Sequence, residues 1–378
     1  MPELPEVETV RRGLFKLIVG KKIRTVSSDT ARSFPNAPHD VKQFLIGSTV
    51  KDVRRRAKVL MIDLSTNYTL VIHLKMTGQL VFVGNTANNG TSTSISSERL
   101  RAGTDKGPGA LSASGCRCPD KTEVQLPAAQ SSRSAIVSND TLEPEFELAS
   151  GPSSDPERSS VMKDSSRRDE LDINNTRFGA GHPTDSLVGM LPDKSTRVTF
   201  DFVDGSHLYF NDQRKFGWVR LIPTPEVPNI DFMKKVGPEP LESDFTAKQF
   251  AERFKRRART TIKAALLDQT VIAGVGNIYA DESLWGAKIH PSRLVESITG
   301  AEFKRLYTEV RAVMNLSIEK GGSTNRNYVN AEGKKGSYMD FARVFRREGL
   351  ACPRCGTTII KIKVAGRGTH ICPHCQQL

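Results

Sequence analysis

A chain of 378 residues with a formal net charge of +13 has room for two or three domains with cores of their own, and its basic balance favours a polyanionic partner. No apolar run reaches membrane-spanning length, and the acidic N-terminus lacks the basic-then-apolar order of a secretory signal, so a cytoplasmic protein without membrane contact is expected. Four of the six cysteines form two C-x-x-C units, which in such a compartment favours metal over disulfides.

The chain opens Met1-Pro2-Glu3-Leu4-Pro5-Glu6. Removal of Met1 would expose a secondary amine, and an α-amino group titrates near pH 7.7–8.0, leaving a useful neutral fraction at pH 7. Attack of that amine on an aldehyde-like carbon gives an iminium with no N–H to lose, an electron sink for later eliminations. Glu3 and Glu6 share a face if the segment is helical. A plain helix start explains the same residues: Pro5 suits the first turn, and carboxylates suit the positive end of the helix dipole.

Apolar residues at Val7, Val10, Leu14 and Ile18 predict a helix ending at Gly20. Strand patterns follow at 23–27, 48–56, 59–64, 69–74 and 79–83. From Gly84 to about Lys194 the chain is rich in Ser, Thr, Asn and Gly, with Asp and Glu outnumbering Lys and Arg, and reads as a disordered insertion. Cys116 and Cys118 fall inside it without metal spacing. Strands resume at 197–202 and 207–210 around Asp204-Gly205, a hairpin signal, and at 219–222, before a proline-marked linker. Helices are predicted at 245–254, 261–268, 277–286 and 300–320, with Asn277 after Gly274-Val275-Gly276 as an N-cap whose helix start suits phosphate. Residues 321–340 read as a long polar loop.

Cys352, Cys355, Cys372 and Cys375 have the spacing of one closed, structural four-thiolate Zn2+ site on a β-hairpin. Arg367 sits at that hairpin's glycine turn, where it is either a solvated tip or a phosphate contact. Lys58 follows three arginines, Met76 lies at a turn where core filling is its commoner use, and Arg214 and Phe216 bracket a lysine in a loop suited to entering a base stack. Taken singly, each of these is a weak signal.

Together these segments resemble the bacterial formamidopyrimidine-DNA glycosylases. The matching stretches are PELPEVETVRRGL at 2–14, RRAKVL at 55–60, HLKMTG at 73–78, NDQRKFG at 211–217, LLDQTVIAGVGNIYADESLW at 266–285, KGGSTNRNYVN at 320–330 and the finger at 352–376. The resemblance implies an α+β multidomain protein. Its parts would be an N-terminal β-sandwich with flanking helices (1–83 and 195–223), the insertion (84–194), a helix-two-turn-helix domain (224–345) and a β-hairpin zinc finger (346–378). It implies a monomer acting on damaged double-stranded DNA, releasing oxidised purines and nicking the abasic strand by β,δ-elimination. By resemblance Pro2 is the nucleophile, Glu3 the general acid supported by Glu6, and Lys58 the proton donor of the lyase step. Met76, Arg214 and Phe216 would fill the gap left by the extruded base. His73, Lys75, Lys263, Asn277 and Arg367 resemble the phosphate-pinning set, with Arg367 counted in the catalytic group and Tyr279 among the DNA contacts. Lys194-Ser195 departs from the family, in which many members carry histidine before the next strand. An endonuclease VIII-like enzyme for oxidised pyrimidines, a non-catalytic zinc-finger DNA binder, and a metal-dependent nuclease using Glu3 and Glu6 are the competing expectations.

Overall fold

The structure is a computed structural model that describes residues 2–85, 177–181, 185–187, 189–323 and 337–378. All of the described segments belong to one of the two units into which the chain divides, and residues 89–141, the other unit, lie outside them, as do Cys116 and Cys118.

Helix α1 (Leu4–Ile18) is followed by β1 (Ile23–Ser28), a helical turn α2 (Pro38–Asp40), and β2 (Val50–Arg56), β3 (Val59–Leu64), β4 (Tyr68–His73) and β5 (Gly78–Val83). After the gap come β6 (Arg177–Gly181), β7 (Thr196–Phe202), β8 (His207–Asp212) and β9 (Trp218–Pro223). Every ladder is antiparallel, in one sheet of order β1-β7-β8-β5-β6 and another of order β2-β3-β4-β9. Alternate side chains of both sheets, among them Val53, Ile62, Ile72, Leu80, Phe200, Phe210 and Val219, close on one buried core. That inward alternation is what a sandwich requires. The chain crosses between the sheets three times, from β1 to β2 and, at one shared end, at residues 73–78 and 212–218.

The expected insertion reached too far. Residues 177–181 form β6 against β5, pairing Phe82 with Phe178, and Phe178 is 2% exposed in the sandwich core. The local composition concealed a strand whose only large apolar residue does the packing.

The second half is helical: α3 (Asp231–Lys235), α4 (Ala247–Phe254), α5 (Ile262–Leu266), α6 (Asn277–Ala287) and α7 (Gly300–Glu319). Thr246 and Thr299 cap α4 and α7 through capping boxes with Gln249 and Glu302. Tyr338 opens a short 3₁₀ turn within the expected 321–340 loop and is buried in the helical core, while residues 324–336 of that loop lie outside the described residues. The finger is the hairpin β10 (Ile360–Val364) and β11 (Arg367–Ile371). Helix α1 joins the two cores: Val7, Val10 and Leu14 pack in the sandwich, whereas Leu4 belongs to the helical core.

Candidate active site

Two backbone features seat the N-terminus on the turn between α5 and α6. The Leu4 amide donates to the Gly274 carbonyl at 3.0 Å, and the Ile278 amide, in the first turn of α6, donates to Glu3 Oε1 at 3.2 Å. A Cβ on Gly276 would fall 2.2 Å from the Glu3 carboxyl carbon, so only glycine lets this carboxyl reach the helix end. Pro2 is buried beside it.

Glu3 Oε2 is buried without a hydrogen-bond partner among the described residues. Burial pushes the Glu3 carboxyl up to about 7, with Lys58 opposing and Glu6 reinforcing the shift. A carboxylic acid that keeps its proton near neutrality and has a free oxygen is equipped to donate. Glu6 is held on all sides: its Oε2 accepts the Glu3 amide at 2.8 Å, and its Oε1 accepts the Ser323 amide at 2.9 Å, the Ser323 hydroxyl at 2.7 Å and the Tyr279 hydroxyl.

Lys58 follows the turn after β2, where Ala57 adopts φ +52°, and its Nζ donates to the Val275 carbonyl at 2.8 Å. It is 5% exposed, and burial draws its ammonium down to about 8 against the pull of Glu3 and Glu6. The turn is held from the helical domain by Glu239, which accepts from Arg55 at 2.8 Å, from Arg56 at 3.0 Å and from the Ala57 amide. Glu3 and Glu6 thus gather with Lys58, some fifty residues further along the chain, beside the buried Pro2.

The exposed set also comes together. Met76 and Phe216 are each 43% exposed, Arg214 Nη1 lies 3.3 Å from the Met76 sulfur, and the Arg214 guanidinium lies 4.9 Å from the Phe216 ring centre. Met76 is therefore no core filler. Lys75 sits beside this group with φ +49°. His73 is buried between Trp218 and Phe232; burial, then the cations Lys75 and Lys58, hold its imidazole down to about 3. Its Nδ1 accepts the Lys75 amide at 3.0 Å, so the neutral ring carries its proton on Nε2.

Three expectations need correction. Lys263 is fully buried, and Asn277, Asp281 and Thr369 take its ammonium at 2.7–2.8 Å, which puts it out of reach of a phosphate. Tyr279 is likewise fully buried, under Glu6 and 2.6 Å from the Ser317 hydroxyl, and burial raises its phenol well above its ordinary value. Asn277 is the first residue of α6 rather than its cap, and its side-chain amide donates to the Gly368 carbonyl at 3.0 Å. Lys263 and Asn277 thereby tie α6 to β11 and set the exposed Arg367, whose charge is felt at Lys58. Sequence reasoning missed Ser317, Ser323, Asp281 and Glu239, because each acts through a partner distant along the chain.

The four finger sulfurs all lie within 4.8 Å of one another. Tetrahedral thiolate zinc, with Zn–S bonds of about 2.3 Å, places sulfurs about 3.8 Å apart, so Cys352, Cys355, Cys372 and Cys375 fit one structural Zn2+. The Trp285 indole donates to Cys352 Sγ at 3.2 Å, and Arg354 caps the end of α6 at the carbonyls of Trp285 and Gly286. Glu282 of α6 accepts the amides of Arg343, Val344 and Phe345, each at 2.8 Å.

Comparison with known proteins agrees with this geometry. Residues 1–112 match the formamidopyrimidine-DNA glycosylase N-terminal domain, 236–329 the formamidopyrimidine-DNA glycosylase H2TH domain, and 349–378 the zinc finger found in FPG and IleRS. A formamidopyrimidine-DNA glycosylase of Streptococcus mutans is 33% identical over 377 residues, covering both chains completely. The structure of a Lactococcus lactis FPG mutant bound to Fapy-dG-containing DNA is similar over all of both chains, with 29% identity and a TM-score of 0.67. A MutM bound to carbocyclic 8-oxo-G-containing DNA also matches over all of both chains, with 29% identity and a TM-score of 0.66. The chain belongs to the formamidopyrimidine-DNA glycosylase family.

Proposed function

We propose that this DNA glycosylase and AP lyase releases oxidised purines from duplex DNA through the Pro2 nitrogen, once Met1 is removed. The observation that carries the assignment is the burial of Glu3, Glu6 and Lys58 around that terminus, with a Glu3 oxygen free to give a proton. The lesions borne by the DNA in the similar complexes, Fapy-dG and 8-oxo-G, support the substrate class.

The Pro2 lone pair forms a bond to C1′ as the glycosidic bond breaks; its electrons leave with the base, which takes up the proton that the Pro2 nitrogen sheds. Protonated Glu3 gives its proton to the sugar ring oxygen, which opens the ring and leaves an iminium. Glu6, fixed by Tyr279 and Ser323, holds the Glu3 backbone in place. The iminium acidifies the neighbouring sugar carbon; loss of that proton expels the 3′ phosphate, and a second elimination expels the 5′ phosphate. Lys58 supplies the proton and the positive charge that these leaving groups need. Met76, Arg214 and Phe216 occupy the stack vacated by the extruded base, with Arg214 facing the orphan cytosine, because C1′ is shielded in an intact duplex. Neutral His73, Lys75, Asn277 and Arg367 hold phosphates. Zinc shapes the finger and takes no part in the chemistry. The enzyme acts in the cytoplasm, a reading supported by its bacterial relatives, and as a monomer, which sedimentation of the enzyme–DNA complex tests.

Borohydride reduction during reaction with an 8-oxoguanine:C duplex should give a conjugate that mass spectrometry locates on Pro2. A conjugate on a lysine, with Pro2 unmodified, would overturn the assignment. Faster cleavage of a thymine-glycol duplex in direct competition would move the substrate class to oxidised pyrimidines.

A further inference from the structure

Two of the three crossings between the sheets, at residues 73–78 and 212–218, meet at one fully buried carboxylate, Asp212, for which the chemistry above has no use. It ends β8 and pairs in register with Gly78 at the start of β5. Its Oδ1 accepts the Thr77 hydroxyl, and the Arg214 amide at 3.2 Å; its Oδ2 accepts the Gly217 amide at 2.7 Å. The Thr77 hydroxyl also accepts the Arg214 amide at 3.1 Å. Behind the carboxylate, the 7%-exposed Arg197 fixes the Asp212 carbonyl at 2.8 Å, and is itself held by Asp29 at 2.6 Å and by the Lys194 carbonyl at 2.8 Å. The Asp212 amide donates to the Ser195 carbonyl at 2.8 Å, so the backbone of Lys194-Ser195 joins the same support.

One side chain therefore takes the two backbone amides that flank the exposed tip Arg214–Phe216, and through Thr77 it is linked to the Met76 turn. Between those amides Lys215 adopts φ +57°, a conformation that a non-glycine residue keeps only where its surroundings hold it. Without such a clamp, a five-residue connection carrying four long exposed side chains would lose its shape to backbone entropy.

We propose that Asp212 is a positioning residue for base extrusion: it holds Arg214 and Phe216 in the stack-entering arrangement before DNA arrives. Asp212 thereby sets how fast the damaged base leaves the helix and how sharply the opposite base is read. The inference rests on the wedge role given above to Met76, Arg214 and Phe216. Asp212→Asn sharpens it, since an amide keeps an oxygen for Thr77 and Arg214 but turns an N–H toward the Gly217 N–H. A buried donor left facing a donor weakens the clamp at one end while the side-chain volume is retained.

The test uses the full zinc-loaded chain and a duplex with 2-aminopurine beside 8-oxoguanine, whose fluorescence rises when a side chain breaks the stack. Asp212→Asn should slow that rise and the release of 8-oxoguanine by about tenfold, and narrow the preference for cytosine opposite the lesion, because a single unsatisfied buried group accounts for that much. Borohydride trapping at a preformed abasic site, which needs no base extruded, should stay within about threefold, the spread ordinarily seen for substitutions that spare the chemistry. Thr77→Val, which removes one donor and keeps the shape, should give the same pattern more weakly and guards against an Asp212 variant that fails to fold. Equal slowing at the abasic site and at the lesion would overturn the inference in favour of a general packing role. An unchanged fluorescence rise in Asp212→Asn would overturn it alone, whereas a wild-type enzyme that traps DNA with no rise would overturn the wedge reading as well.

Discussion

The catalytic end and the wedge are built on opposite terms. Glu3 and Lys58 are each 5% exposed and owe their chemistry to burial, which lifts the carboxyl and lowers the ammonium until both exchange protons near neutral pH. Met76 and Phe216 are each 43% exposed, apolar surface left to water that the proposed function covers with a base stack. The first region is ready without its substrate; the second is completed by it. Substitutions in the buried region should therefore disturb proton chemistry or folding, and substitutions in the wedge should disturb recognition alone.

The largest effect should come from Glu3→Gln. Loss of a positioned general acid costs on the order of 10²–10⁴ in rate, so single-turnover release of 8-oxoguanine should fall by that factor, while trapping at a preformed abasic site persists. Lys263→Met should come next, because removing one partner of a buried ion pair costs about 3–5 kcal/mol. A melting transition lowered by many degrees, with weaker DNA binding as Arg367 loses its seat, is the expected outcome; an unchanged transition would break the idea that this lysine supports the fold rather than the DNA. Phe216→Ala should weaken lesion-duplex affinity by about 1–3 kcal/mol, the worth of one stacked ring. Its thermal stability should move by less than about 0.5 kcal/mol, as for other exposed positions.

The smallest effect is a shift in pH dependence. A raised Glu3 keeps its proton below about 7 and loses it above, so base release should decline on the alkaline side of neutrality. Lys58 opposes that rise, so Lys58→Met should let the carboxyl titrate higher and carry the alkaline limb to higher pH. A limb that stayed fixed, or moved downward, would separate the two groups electrostatically.

What could be read from the sequence follows the same divide. The strands after Val59 and the helix from Asn277 announce themselves through short-range pattern, and the cysteine spacing dictates its own geometry. The arrangement of Glu3 around Lys58 was legible only through family resemblance, since nothing local ties the two. Lys263 and Tyr279 were placed among the DNA contacts by resemblance alone, which carries no information on burial. Burial of Lys263 is made possible by Asp281, eighteen positions on, and by Thr369 from another domain. Strand β6 was hidden by its setting: five residues with one large apolar side chain carry little pattern, and only pairing with β5 gives them a structure.

The seating of Leu4 in the helical core has a consequence for biosynthesis. The residues proposed to react with DNA are synthesised before Gly274, Ile278, Ser317 and Ser323, which form their berth. A nascent or truncated polypeptide thus lacks the floor on which Glu3 and Glu6 are held, and the proposed site is complete only once residues from the helical domain have gathered it in.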